Sequence, residues 1–170
     1  MQTKPIEMNK VLAEFKKRTM DSLNTKLAIE WAGSELKQNL GLKMAAGEEL
    51  DLTFDYLGTG SFYQNIAWGY YQPIEKYFNN DIYPGLMKAF TVRTCARNMA
   101  TTSQNVNRTM KVLDWIFTSQ ENNDLFTWGL EGEHWTKVED KGYSRTDEQE
   151  KNTTFHGIKF QCMLCMNARM

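Results

Sequence analysis

The amino-acid sequence predicts a single α/β domain with a short, mainly parallel sheet flanked by helices. Two segments, 25–31 and 50–56, alternate apolar and polar residues, as half-buried strands do. Between them apolar residues recur at helical spacing, and a strand–helix–strand run of this length forms a crossover between parallel strands. The chain has 170 residues, 41% hydrophobic and 24% charged, which suffices for one domain with its own core.

Composition and charge argue against several classes of protein. A net charge of −1 gives no electrostatic reason to expect binding to nucleic acid or to an anionic membrane. Three cysteines are an odd number and provide no disulfide framework. No apolar stretch approaches the ~18 residues of a membrane span, and the first residues lack the apolar core of a secretory signal. From these residues alone we expect a cytoplasmic chain.

A helix and a strand open the predicted fold. The helix is expected over residues 6–22, where apolar residues recur at intervals of three and four. They are Met8, Val11, Leu12, Phe15, Thr19 and Leu23. The strand is expected over 25–31, with Leu27, Ile29 and Trp31 on one buried face.

The predicted crossover helix comes next. Ser34 is a suitable N-cap for it, and Gly47 is placed to end it. The second strand, 50–56, alternates again, and a glycine-rich turn at 58–61 leads back into helix. Further helices are predicted over residues 62–68, 73–78 and 84–89.

The second half of the chain is predicted to be mainly helical. A weak strand is expected within 91–102. Asn105 caps a helix with one apolar face, formed by Val106, Met110, Leu113 and Phe117. Ser119 caps the following helix, Gly129 ends it, and a strand is expected over 135–139.

Several passages resemble one family of proteins, and they occur in that family's order. They are Lys43–Leu52, Phe54–Ile74 with its Tyr63-Gln64-Asn65 and Gly69 positions, Ser103–Phe117, and Gly129-Leu130-Glu131-Gly132-Glu133-His134-Trp135. Over about 110 residues they are similar to family 1 bacterial extracellular solute-binding proteins. The closest resemblance is to the lipoprotein branch associated with carbohydrate importers.

The resemblance implies a three-layer single lobe of the type-2 periplasmic-binding-protein fold, with a short, mainly parallel sheet flanked by helices. Residues 1–140 would form the lobe, from the segments 1–90 and 103–140. The family's second lobe would lie between Phe90 and Thr91, where it is missing, and the opening strand and lipoprotein signal are missing too. Residues 141–170 lose all periodicity, so we expect an irregular, poorly ordered tail.

The resemblance also implies a function that is binding and not catalysis. The chain would bind a solute, a carbohydrate or oligosaccharide, as the substrate-binding component of an ABC importer or as a truncated lobe of one. It implies an importer permease as partner, no cofactor, no nucleic acid, and an extracytoplasmic, membrane-associated location. The missing opening strand would leave a sheet edge exposed, through which two copies could pair as a homodimer.

Four residues are the candidate ligand-binding set: Trp31, Tyr56, Tyr63 and Gln64. Ligands of open parallel sheets bind beyond the carboxyl ends of the strands, where these residues or their neighbours fall. Aromatic faces stack on sugars, and polar groups reach their hydroxyls. The alternative is that Trp31 and Tyr63 are core aromatics.

Other polar residues are predicted to be structural. Glu131 and His134 could be an acid–base pair, but a turn in which His134 bonds the backbone is favoured. The acidic residues near the second strand are expected to form a solvated face. They are Glu48, Glu49, Asp51 and Asp55.

A second hypothesis is a non-transport interaction protein or structural remnant that zinc could stabilise. Cys162 and Cys165 have the spacing of metal ligands, and His156 lies just upstream. His134 could be a fourth ligand. Incidental cysteines remain the favoured interpretation.

Overall fold

The structure is a computed structural model, and it describes residues 7–31, 36–53, 60–90, 98–99, 103–139, 142–147, 149 and 164–169. The helices are α1 (Met8–Leu23), α2 (Leu36–Ala45), α3 (Gly60–Ala67), α4 (Pro84–Phe90), α5 (Val106–Thr118) and α6 (Gln120–Trp128). The strands are β1 (Lys26–Trp31), β2 (Leu52–Thr53), β3 (Asn98–Met99), β4 (Thr136–Val138), β5 (Gly142–Ser144) and β6 (Leu164–Arg169). A 3₁₀ turn covers Glu75–Tyr77. The mixed helix-and-strand composition that the sequence predicts is therefore present.

The main sheet is antiparallel, which corrects the predicted parallel arrangement. Its four strands lie in the order β1-β6-β2-β3, and each described pair in it runs antiparallel. β1 and β2 point in the same direction, as the crossover through α2 requires, but β6 lies between them and pairs with both. The sheet is antiparallel because its central strand comes from the far end of the chain and not from a second crossover.

The segment 141–170, predicted to be irregular, contributes two strands. β5 pairs with β4 in a small two-stranded sheet. β6 pairs with the whole of β1, from Lys26 opposite Arg169 to Trp31 opposite Leu164. The prediction missed β6, although Leu164, Met166 and Ala168 alternate there with more polar residues, because this alternation spans only six residues after a long polar stretch.

The hydrophobic core joins the two halves of the chain. Apolar residues of α1, α5 and α6 pack together with Leu27 of β1 and Leu52 of β2. The buried members on the helices include Val11, Phe15, Met110, Leu113, Ile116 and Phe126. β1 and β2 are thus packed against α5 and α6 in one core, while Leu40, Met44 and Leu50 form a second, smaller cluster.

Most helix boundaries follow from local sequence signals, and these predictions are confirmed. The side chain of Ser119 accepts a hydrogen bond from the backbone N–H of Asn122 and so caps α6. Gly129, at φ 88°, ends the same helix. The N-cap of α5 is Asn105, although its side chain makes no capping hydrogen bond.

One face of the sheet is open at β1. Leu27 is buried and Ile29 is half-buried, whereas Lys26 and Ala28 on the opposite face are exposed. A three-layer arrangement would cover both faces with helices, so it is not found at this strand. Among the residues that the structure describes, no helix is long and apolar enough to cross a membrane.

Candidate functional site

The exposed face of α3 carries two of the four predicted ligand-binding residues. Tyr63 is 61% exposed, and Gln64 beside it is exposed as well. Phe62 and Asn65 point to the opposite, buried side of the helix. Tyr63 is therefore not a core aromatic, and the core alternative is wrong for this residue.

Buried side chains pack on the inner side of α3. Phe62 packs edge-on against Tyr63, with ring centroids 5.4 Å apart, and lies 6.0 Å from the ring of Tyr71. The side-chain amide of Asn65 donates a 3.0 Å hydrogen bond to the hydroxyl of Tyr71. Packed aromatic rings thus lie beneath the exposed side of α3. Because they restrict this helix before binding, the protein loses less conformational entropy when a ligand binds.

Two further apolar side chains of the α3 segment are exposed, and they were not among the predicted ligand-binding residues. Ile66 is 49% exposed, and Trp68, just beyond the end of α3, is 55% exposed. The ring of Trp68 meets Tyr70 edge-on at 5.6 Å. The four-residue spacing of Gln64 and Trp68, which places them on one side of a helix, was the available signal. We call Tyr63, Gln64, Ile66 and Trp68 the α3 platform.

The α3 platform lies in a segment without charge. From Gly60 to Ile74 the chain contains no Asp, Glu, Lys or Arg, but it has three side-chain amides, on Gln64, Asn65 and Gln72. Aromatic surface with neutral hydrogen-bonding groups suits a neutral ligand rich in hydroxyl groups. It does not suit a phosphate or a carboxylate, which would need a cationic partner.

The other two predicted ligand residues are not brought to α3 by described contacts. Trp31 is the last residue of β1, at the same end of the sheet as the end of β2. Tyr56 lies outside the described residues. The topology therefore places the carboxyl ends of β1 and β2 at the same end of the sheet.

Asp51, predicted to be on a solvated face, is instead buried, with none of its surface exposed. One carboxylate oxygen accepts a 2.5 Å hydrogen bond from the hydroxyl of Ser103. The hydroxyl of Ser103 in turn accepts one from the backbone N–H of Asn105, and the Asn105 amide donates to Glu49 at 2.9 Å. Burying a carboxylate is tolerated because it is hydrogen-bonded, so this group joins β2 to the start of α5.

His134 has the structural role that the sequence predicts. Its Nδ1 accepts a 3.1 Å hydrogen bond from the backbone N–H of Leu130, and the ring is 1% exposed. Burial lowers the pKa of His134 below its ordinary value, although nearby Glu133 and Glu7 oppose the effect. Glu131, the other member of the considered acid–base pair, is exposed.

The zinc hypothesis gains no supporting contact. Cys165 lies in β6 opposite Glu30, whereas His156 and Cys162 fall outside the described residues. Across the described residues, no three His, Cys, Asp or Glu side chains are grouped closely enough to hold a metal ion. The hypothesis therefore stays a prediction.

Two open polar grooves lie elsewhere on the surface. One, of about 370 Å³, borders the start of α5 and is lined by Asn105, Arg108 and Lys111 among others. The other, of about 660 Å³, lies between α1 and the turn before β4 and contains Lys10 and Glu133. Neither contains a predicted ligand-binding residue, so the α3 platform remains the candidate site.

No protein-family model, curated protein or solved structure matches this chain.

Proposed function

We propose that the chain is a non-enzymatic solute-binding domain that takes a neutral carbohydrate or oligosaccharide on the α3 platform. The observation that carries the proposal is the exposure of Tyr63 and Trp68 beside Gln64, in a segment without charge. A sugar ring would stack on an aromatic face while the amide of Gln64 bonds its hydroxyls. The family resemblance supports the same ligand class.

The expected affinity is low because the platform is an open surface. Protein pockets that bind small ligands tightly bury most of the ligand, about 70–90% of its surface. A single aromatic surface leaves one side of a sugar in water. We therefore expect dissociation constants on the order of 1 mM, where the binding free energy is about −4 kcal/mol.

The proposal includes the biological setting that the resemblance implies. The domain would serve as the substrate-binding component of an ATP-driven importer, or as a shortened form of one. It would act outside the cytoplasm, near the membrane, with the importer permease as its partner. These assignments rest on the sequence resemblance alone.

A titration suited to weak binding tests the ligand assignment. Chemical-shift changes in the aromatic and side-chain amide signals would be followed while neutral oligosaccharides are added. We expect saturable shifts for residues of the α3 platform, and their loss in Tyr63→Ala and Trp68→Ala. Phe78→Ala is the matched control, because Phe78 is a similarly exposed aromatic residue outside α3, at 40%. If no oligosaccharide shifts these signals at tens of millimolar, the carbohydrate proposal fails.

A further inference from the structure

Among the strands that the structure describes, β1 forms the longer outer edge of the main sheet. The strand order places β1 at one edge and β3 at the other. β1 has six residues, all paired on their inner side with β6, whereas β3 has only two. The outward backbone N–H and C=O groups of an edge strand are a template for a further strand. β1 is therefore the better template of the two.

The sequence of β1 is complementary to itself in one antiparallel register. Lys26 and Glu30 each lie two residues from Ala28, one on either side of it. The three positions therefore belong to the same face of the strand. In an antiparallel pair centred on Ala28, Lys26 of each copy lies opposite Glu30 of the other copy. The same charge pair therefore occurs twice. On the other face, Leu27 lies opposite Ile29. Opposite charges and apolar pairs directly across from each other stabilise antiparallel strands.

We propose that β1 pairs with β1 of a second copy of this chain, antiparallel and symmetric about Ala28. The two four-stranded sheets then become one sheet of about eight strands, within the usual range. Lys26 and Ala28 are exposed, so the face on which the charge pairs would form lies towards solvent. The pairing is isologous, since each surface meets an identical one, and closes at two copies. It does not depend on the proposed carbohydrate binding.

In the proposed pairing Lys26 stabilises association, whereas charged residues on edge strands often prevent it. A lysine on an edge strand commonly prevents association. In that case Lys26→Ala would increase dimer formation. In the pairing proposed here, Lys26→Ala removes two attractive contacts and weakens the dimer. The two roles predict opposite changes in the same measurement.

Charge reversal provides the decisive experiment. The association of the full chain would be measured by sedimentation velocity over a concentration series at low salt, where charge pairs are least screened. Lys26→Glu and Glu30→Lys each place like charges opposite each other twice, and each should raise the dimer dissociation constant about tenfold or more. The double variant Lys26→Glu/Glu30→Lys restores both pairs and should dimerise like the original chain.

Mixing the two single variants is a control that no folding defect can imitate. In the mixture each Glu at positions 26 and 30 of one variant meets a Lys of the other. We expect two weakly associating proteins to form a heterodimer when combined. A chain that is monomeric at its highest soluble concentration, a dimer that both reversals leave unchanged, or a mixture that does not associate would each overturn the proposal.

Discussion

The hydroxyl of Ser103 donates a 2.5 Å hydrogen bond to the carboxylate of Asp51, a residue 52 positions away in sequence. Both side chains are buried, so the bond connects β2 to the segment before α5 without access to water. A charged acceptor strengthens a hydrogen bond, and losing its donor leaves a buried carboxylate with one partner fewer. The contact therefore fixes how the two halves of the chain are joined.

Ser103→Ala should lower the free energy of unfolding by about 1–3 kcal/mol, because Asp51 stays buried while it loses this donor. Urea denaturation would measure the change. Asn107→Ala is the control, because Asn107 is exposed on α5 nearby and its replacement should change stability by less than about 0.5 kcal/mol. Equal stabilities for the two variants would contradict the structural role of the bond.

The stability of the protein should fall as the pH drops below 6.5. In the folded state burial keeps the pKa of His134 lowered, while in the unfolded chain it returns to its usual 6.5. The unfolded state then binds more protons in this range, so acid favours unfolding. Lys10 also disfavours the charged ring, whereas Glu7 and Glu133 favour it. Stability is full above pH 6.5 and declines by up to about 1.4 kcal/mol per pH unit below it.

Denaturation between pH 7.5 and 5 measures this slope, above the range in which most carboxylates titrate. His134→Gln should be less stable at pH 7.5 but should have a flatter slope. His156 is the other histidine of the chain, and His156→Gln isolates the titration of His134. If His134→Gln keeps the full slope, another group is responsible.

Gly129→Ala should be strongly destabilising, for two reasons. At φ 88° and ψ −152° an L-residue is strained, by about 1–3 kcal/mol. A Cβ at this position would also lie 3.1 Å from Cγ of His134 and 3.3 Å from Cγ2 of Val11. Thermal denaturation would measure the loss.

Gly132→Ala separates these two contributions. Gly132 also has a positive φ, of 85°, but an added Cβ there meets no atom within 4 Å. We expect Gly132→Ala to lower the free energy of unfolding only through backbone strain. Gly129→Ala should lower it further, because its Cβ also meets His134 and Val11. A Gly132→Ala variant as unstable as Gly129→Ala would show that the packing against His134 does not matter.

Met166→Pro should destabilise the main sheet. Met166 lies opposite Ile29 of β1 on one side and Leu52 of β2 on the other. Whichever neighbour its N–H faces, proline removes a hydrogen bond from the middle of the sheet, where it is not normally tolerated. The expected loss is about 3 kcal/mol or more. Circular dichroism during thermal melting would detect it.

Met166→Val is the control for this prediction, because it keeps the N–H and has a high strand propensity. It should lose less stability than Met166→Pro. If both variants melt like the original chain, β6 does not form the centre of the sheet, and the proposed β1 edge would have to be reconsidered as well.

The sequence alone was enough to predict the helices and much of the α3 platform. The stripe on α1, the Ser119 cap and the Gly129 terminus depend on contacts within a few residues, which a single sequence displays. Tyr63 and Gln64 could be named as candidates from the resemblance. Their exposure could not, although the four-residue spacing from Gln64 was a signal for Trp68.

Tertiary structure decided the sheet and the environment of its polar residues. The alternation of β6 covers only six residues, and its position between β1 and β2 depends on hydrogen bonds to strands more than 100 residues away. Asp51 has the local pattern of a solvated residue and is buried because Ser103 reaches it from the other half of the chain. Helices satisfy their hydrogen bonds locally, whereas strands and buried charges take partners that only the folded chain brings together.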